Sequence, residues 1–329
     1  MSDPIWITEG DVVELLALPE AIEALRWGLG EEASGRANNL TKTQLTYGGG
    51  STLHAIGALI ESASIVGTKT WTHTKGGANP LLLLFDTGTG KLLAIIEAFA
   101  LGQMRTAGIS GLATDHLANK SARSMAMIGS GKQSLAQIAA VAAVRELDSV
   151  AIWSPTEANR RALAEKVRDR LGLQAQAANS LDEALAEASI VTLATRAKTP
   201  FLMRDAVAGG VHINAIGAIG PDRIEFEPAL IDRAAVCAGD NLAQVRRLSR
   251  EFREAFQEDA AKWERLRPLS ELVAEDFKRP ADADLTVFKA MGMGISDLSV
   301  GIEVLRRAQS KGGSRPLEST TFHEPRLRL

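Results

Sequence analysis

The sequence predicts an α/β protein in which a doubly wound parallel sheet follows a separate α+β unit, and three observations carry that reading. Residues Ser124 to Ile128 form a short apolar run that ends in Gly129-Ser130-Gly131. The run leads into Leu135, Ile138, Ala139, Ala142 and Val144 at helical spacing, which is a strand–turn–helix order. Beyond it, short apolar and β-branched runs alternate with helical segments as far as Lys289, the pattern of parallel strands joined by crossover helices. Ahead of it, the chain from Gln44 to Glu97 has strand character. Its Asp86-Thr87-Gly88-Thr89-Gly90 turn signals a hairpin, so antiparallel strands precede the βαβ region.

Taken in order, the chain opens with two helices, Glu9 to Leu16 and Pro19 to Glu32, where apolar residues recur every three or four positions and Pro19 occupies an N1-like site. Strands follow at Ile65 to Trp71, Leu81 to Phe85 and Lys91 to Ile96. The unit boundary is placed near Ala118, separating an α+β domain over 1–118 from a nucleotide-binding domain over 119–304. Within the second domain the expected strands are 124–128, Val150 to Trp153, Gln174 to Ala177, Ile190 to Ala194, Val211 to Ala215, Ala235 to Ala238 and Thr286 to Lys289. The helices expected with them include Thr156 to Leu171 and a closing Asp297 to Ala308.

With 23% charged and 45% hydrophobic residues and a net charge of -3, the 329-residue chain reads as a soluble globular protein and not as a disordered or membrane one. No run approaches the ~20 apolar residues that a membrane span needs. Lys and Arg are scattered, and the basic tail at Arg315, Arg326 and Arg328 is short and mixed with acids, so nucleic acid is not an expected partner. The single Cys237 forbids an intramolecular disulfide, and no Cys/His cluster has metal-ligand spacing. No metal is expected, and a cytoplasmic location is.

The glycine turn points to a dinucleotide site of the Rossmann type. Gly129 permits the tight turn, Gly131 lets backbone N–H groups approach a pyrophosphate at a helix N-terminus, and Ser134 replaces the third glycine. At the end of the second strand, where an acid would bind the adenosine ribose, the chain has Ser154, with Arg160 and Arg161 in the next helix. That combination tolerates a 2′-phosphate, so NADPH is the expected cofactor, with NADH the alternative. Three cations in the first domain are placed to hold a small acid: Lys42, Lys69 and Arg105. Arg105 lies in Gln103-Met104-Arg105-Thr106-Ala107-Gly108, read as the start of a helix. Lys69 interrupts an apolar strand, and either snorkels to the surface or points into a cleft.

Gly67-Thr68-Lys69, Arg105-Thr106-Ala107, the Gly129 to Ser134 turn and Asn214-Ala215-Ile216-Gly217 followed by Pro221 and Glu225 together resemble the ornithine cyclodeaminase and mu-crystallin family. The segments Phe288 to Gly292 and Ile295 to Leu298 complete the likeness along nearly the whole chain. The resemblance implies a homodimer or larger oligomer, a substrate-binding and dimerisation domain over 1–118 joined by the C-terminal segment 305–329, and a Rossmann domain over 119–304 that binds NAD(P). It assigns Lys69, Arg105, Lys42 and Met291 to the substrate, with Lys42 standing where the family often has a carboxylate-binding arginine. Cofactor contacts are assigned to Arg105, Thr106, Gly129, Ser130, Gly131, Lys132, Gln133, Ser134, Ser154, Arg160, Thr195, Ala215 and Gly217.

Two departures matter. Ile219 stands where cyclodeaminases carry the catalytic aspartate, and His54 stands where they have a glutamate; an imidazole there could relay a proton, so His54 joins Lys69 as a catalytic candidate. Family members lacking the aspartate include ketimine reductases. The resemblance therefore implies NAD(P)H-dependent reduction of a small cyclic 2-imino acid, pyrroline-2-carboxylate or piperideine-2-carboxylate, to proline or pipecolate. An alanine dehydrogenase-like enzyme, ornithine cyclodeaminase and a non-catalytic NADPH-binding protein are the alternatives.

Overall fold

The computed structural model describes residues 3–312, 315–318, 321 and 323–327. Arg328 of the basic tail and parts of the 305–329 segment lie outside the described residues. Two eight-stranded sheets organise the chain.

The first sheet is built from β1 (Ile5–Ile7), β2 (Ala37–Asn39), β3 (Thr43–Tyr47), β4 (Ser51–Ile60), β5 (Ile65–His73), β6 (Leu81–Asp86) and β7 (Leu92–Glu97), and a late two-residue strand, Arg315–Pro316, pairs with β1. From β4 to β7 it is an antiparallel meander, and β1 adds to β7 in parallel. The expected hairpin turn is present. Asp86 accepts from the Thr89 N–H and hydroxyl, and Gly90, at φ 68, takes the left-handed conformation that closes it. Helices α1 (Glu9–Leu15) and α2 (Leu18–Ala33) cover this sheet. Thr8 and Asp11 form a capping box on the first, while Glu20 reaches back to the Ala17 N–H on the second.

Helix α3 (Phe99–Leu117) joins the two sheets. It is buried almost all round from Ala107 to Leu117, which explains why its sequence shows no clear polar face. The second sheet then runs β8 (Ser124–Ile128), β9 (Ser149–Trp153), β10 (Ala175–Ala177), β11 (Ile190–Leu193), β12 (His212–Ala215), β13 (Ala234–Gly239), β14 (Leu266–Pro268) and β15 (Leu285–Lys289). Their spatial order is β10-β9-β8-β11-β12-β15-β13-β14, and every pairing is parallel. This is a doubly wound α/β sheet, with its switch point between β8 and β11. Helix α4 (Ser134–Ala142) follows β8, and α5 (Glu157–Leu171) follows β9.

The last long helix, Gly294–Lys311, packs on α2, α3, β4, β5 and β6, with Val300, Val304 and Leu305 in the first sheet's core. The chain thus returns to the first sheet at Gly294, eleven residues ahead of the 305 read from sequence. Among the described residues no helix is long and apolar enough to cross a membrane, and no group of three His, Cys, Asp or Glu is placed to hold a metal.

Candidate active site

A cavity of about 1120 Å³ opens between the two sheets at the carboxyl ends of β8, β9, β11 and β12. At its centre Gly129 adopts φ 118, and a Cβ built there would lie 2.5 Å from the Ala194 carbonyl oxygen, so only glycine lets the β8 turn pass β11. Gly131 has open space around it and α4 begins three residues later. The turn's backbone therefore faces the cavity at a helix N-terminus. Gln133 also lines the cavity, and its buried Oε1 has no hydrogen-bond partner. Ser130, Lys132, Thr106 and Thr195 line the same space. Ser134 is buried behind the turn, and Ala215 is buried in β12.

At the β9 end Ser130 Oγ donates to Ser154 Oγ at 2.9 Å, and Ser154 lines the cavity. Arg160 is not free there. It is buried, and its Nη1 donates to the Ser154 carbonyl at 3.0 Å, so the guanidinium braces the strand end and is absent from the cavity lining. Arg161 is exposed and pairs with Glu157 at 2.7 Å. The expectation that either arginine waits for a 2′-phosphate loses its support from this geometry.

The opposite end is built around Asp297, on the first turn of the last helix. Its Oδ1 accepts from Lys69 Nζ at 2.5 Å and from Arg105 Nε at 3.0 Å, while Asp297 itself is 1% exposed. Lys69, in the middle of β5, is 4% exposed and does not line the cavity, so of the two sequence readings neither a surface lysine nor a cleft lysine is found. Burial pulls its ammonium down from 10.5 to about 8 against the opposing pull of Asp297. Arg105 lies in the second turn of α3, not at the helix start. That position turns Nε to Asp297 and leaves Nη1 and Nη2 without a hydrogen bond among the described residues, beside Gly292 and on the cavity wall.

Cross-strand register explains the neighbouring wall. Lys69 and Trp71 are two apart on β5, opposite Ile56 and His54 on β4, so all four side chains share one face. Trp71 and Ile56 line the cavity. His54 stacks on Trp71 with ring centroids 4.7 Å apart, hydrogen-bonds Thr52 Oγ1 at 2.7 Å and stands outside the lining. Burial and the nearby Lys42 lower its pKa, so the neutral ring is favoured. Lys42, from the β2–β3 connection, is half-buried and lines the cavity without an ion pair among the described residues, its pKa lowered by burial and by Arg105. Met291 lines the cavity too.

Three carboxylates that sequence reasoning did not single out for a role hold these parts in place: Asp297, Asp240 and Glu225. Asp240 accepts the Met291 and Gly292 N–H groups at 2.8 Å each, and burial raises its pKa. Glu225, fully buried, accepts the Thr195, Gly217 and Ala218 N–H groups at 2.6, 2.9 and 3.0 Å. Behind Asp240, burial raises Glu32 to about 7. Their only sequence signal is an acid immediately after a strand, as with Asp240, or inside an apolar stretch, as with Glu225.

A glycine turn at the switch point of a doubly wound sheet, facing Arg105 of α3 and Lys42 of the β2–β3 connection across the cavity, defines a two-sheet α/β protein with a nucleotide-type cleft. The chain belongs to the ornithine cyclodeaminase/mu-crystallin family, which matches residues 4–312. It is 30% identical over 320 residues to the iminosuccinate reductase of Paracoccus denitrificans, covering 95% of this chain and 99% of that protein. The crystal structure of that reductase in complex with NAD+ superposes with a TM-score of 0.89 at 28% identity over 96% and 99% of the two chains. A Delta(1)-pyrroline-2-carboxylate reductase of Bacillus cereus is 29% identical over 242 residues, 73% of this chain and 74% of that one. An archaeal alanine dehydrogenase dimer with bound NAD matches with a TM-score of 0.87 at 25% identity, over 98% and 100% of the chains.

Proposed function

We propose that the protein is a nicotinamide-dependent oxidoreductase that reduces the C=N bond of a small 2-imino acid, with the cyclic pyrroline-2-carboxylate or piperideine-2-carboxylate as leading substrates. The observation that carries this reading is the arginine fork. Arg105 is fixed through Nε by a buried aspartate and presents both terminal nitrogens to the cavity, the arrangement that receives a carboxylate bidentately. The first sheet then supplies substrate contacts and the second the cofactor site, with Gly129 to Gln133, Ser154, Thr195 and Gly217 holding the dinucleotide.

When bound, the reduced nicotinamide would supply a hydride to the carbon of the substrate's C=N bond, the imine entering in its protonated, iminium form so that the π pair becomes the lone pair of a neutral product amine. The chain's own residues do the rest. Arg105 and Lys42 hold the carboxylate, Asp297 and Lys69 keep Arg105 in register, and Trp71, Ile56 and Met291 exclude water from the reacting carbon. Lys69 and His54 act behind this wall, Lys69 as the buried counter-cation of Asp297 and His54 as the support of Trp71. With Arg160 braced on Ser154 O and no acid at the β9 end, NADH and NADPH both fit, and the relatives with NAD bound favour NADH.

A second reading is favoured by Lys42. Among the described residues it is a cation on the cavity wall, besides Arg105, that has no ion pair, which suits an open-chain imine with two carboxylates such as that of the iminosuccinate reductase. In the dimer proposed for the chain, the β3–β4 hairpin that exposes Leu45, Tyr47 and Leu53 is covered by a second copy. One assay tests the function: NADH and NADPH oxidation with pyrroline-2-carboxylate, piperideine-2-carboxylate, oxaloacetate plus ammonia, and pyruvate plus ammonia. Turnover of a cyclic imine is expected, dominant turnover with oxaloacetate plus ammonia selects the second reading, and failure of all four in both cofactors overturns the reductase.

A further inference from the structure

The mechanism above leaves unused a fully buried charge cluster behind the second sheet's half of the cleft. Glu225, Glu251 and Lys289 are each 0% exposed. Lys289 Nζ lies 3.5 Å from Glu251 Oε1 and has no hydrogen bond, and Glu251 in turn accepts the Glu225 N–H at 3.1 Å and the Ser249 hydroxyl at 2.7 Å. Three ionisable groups out of water are costly unless they fix something.

What Glu225 fixes is specific. Its Oε1 accepts from Thr195, in the loop after β11, and its Oε2 from Gly217 and Ala218, in the loop after β12. Gly217 can have no side chain, because a Cβ there would overlap the Thr195 backbone and come within 2.5 Å of Glu225 Oε1. The two loops and the carboxylate thus form one packed unit. In a doubly wound sheet the adenosine half of a dinucleotide lies over the first strands, here β8 and β9, and the second half lies over the strands beyond the switch point, here β11 and β12.

We infer that Glu225, braced through its own N–H by the Glu251 carboxylate that Lys289 pairs with, is a positioning residue for the nicotinamide half of the cofactor site: one carboxylate ties the β11 and β12 loops into the surface on which that half rests. The inference rests on the dinucleotide reading of the cleft. The groups facing Glu225 are backbone N–H donors from both loops, Lys289 from β15, and Glu251 beside Lys289. A glutamine would keep the shape, lose the charge and turn an amide NH2 toward donors.

The test is Glu225→Gln, with NADH and ADP affinities measured by titration calorimetry alongside thermal unfolding. The expected result is a folded protein whose NADH affinity falls 10-fold or more while its ADP affinity stays within twofold, because ADP reaches only the adenosine and phosphate half. Equal weakening of both ligands, or no change in either, overturns the proposal. If Glu225→Gln does not fold, Glu225→Asp keeps the charge but is one methylene too short to reach all three donors. It is then expected to weaken NADH about 3- to 10-fold with ADP unchanged, and parallel losses again refute it. Wild-type protein that binds neither ligand removes the dinucleotide reading and the proposal together, a result distinct from a failed NADH and ADP contrast.

Discussion

Asp297→Asn removes one negative charge from the point on which Lys69 and Arg105 converge and keeps the side chain's size. In the wild-type protein Lys69 is held at about 8, below its ordinary 10.5, even with Asp297 Oδ1 2.5 Å away. At about 1.4 kcal/mol per pH unit, that gap corresponds to about 3 kcal/mol. A lysine whose pKa is lower in the fold than in the unfolded chain weakens stability below the folded value. Stability is regained as pH rises from about 8 to 10.5, where the unfolded chain binds a proton that the native chain does not. Without the carboxylate the lysine's pKa falls further, until Lys69 sheds its proton in the fold, and that release limits the damage. Breaking one side of a buried ion pair costs about 3 to 5 kcal/mol. With an asparagine still accepting one hydrogen bond, the expected loss is about 2 to 4 kcal/mol at pH 7, narrowing toward pH 10. Urea unfolding at pH 7 and 9.5 measures it. Since Arg105 Nε loses its anionic anchor, kcat/KM for the imino acid is expected to fall about 30- to 1000-fold. A variant within about 1 kcal/mol of wild type at pH 7 with unchanged kcat/KM would refute both the ion-pair reading and the fixed arginine fork.

Arg105→Lys keeps the charge and loses the fork, so kcat/KM is expected to drop about 100-fold, mostly in KM, while cofactor affinity stays within a few-fold; near-normal steady-state kinetics would remove Arg105 from the clamp. Ser154→Asp places a carboxylate at the β9 end of the cavity and is expected to weaken NADPH about 10-fold or more against NADH, read by fluorescence titration of both. Equal effects on the two cofactors would mean that the ribose does not reach β9. His212, buried in β12 between Thr286 Oγ1 and Asn214 Oδ1, is pushed down from 6.5 to about 3 by burial. Its contribution is complete above pH 6.5 and is lost as pH falls toward 3, by up to about 5 kcal/mol. His212→Gln is expected to flatten that acid limb in unfolding curves, and an unchanged slope would assign acid sensitivity elsewhere.

The parts of the molecule legible in sequence are those whose cause is local. The glycine turn, the 86–90 hairpin and the β-branched runs at 150–153, 190–193 and 285–289 each carry their own pattern, and the structure has them within a residue or two. The short helices Leu242–Leu248, Arg250–Phe256 and Ala260–Glu264 and the strand Leu266–Pro268 have too few residues to show a period, and were not anticipated. Side-chain partners were less legible still. Lys69 and Asp297 are 228 residues apart, and nothing near Lys69 says that its charge is met from the last helix. Arg160 shows the opposite failure: its spacing from Ser154 suggests a phosphate ligand, but a guanidinium on the first turn of α5 also reaches back to the Ser154 carbonyl just ahead of that helix.

The division of charge across the cavity bears on which substrates fit it. Asp297, Asp240 and Glu225 direct their oxygens at Lys69, Arg105 Nε and the backbone N–H groups of Thr195, Gly217, Ala218, Met291 and Gly292. Asp297 and Glu225 meet their partners behind the wall and Asp240 meets its own on the cavity lining, so among the described residues the Arg105 terminal nitrogens and Lys42 are left without a hydrogen-bond partner there, among apolar side chains. Ile219, 46% exposed, adds another apolar side chain to the cavity lining. Asp240 is the carboxylate on the cavity lining, and both its oxygens already accept the Met291 and Gly292 N–H groups, so the second ammonium of a diamino acid such as ornithine would have to compete with those bonds in a largely apolar end that also carries Arg105 and Lys42. A carboxylate beside a C=N bond meets the reverse situation, since its negative charge faces the Arg105 terminal nitrogens and Lys42 and its ring or chain meets Trp71 and Ile56. That asymmetry of charge is the physical ground on which an imino acid, and not a diamino acid, is proposed as the substrate.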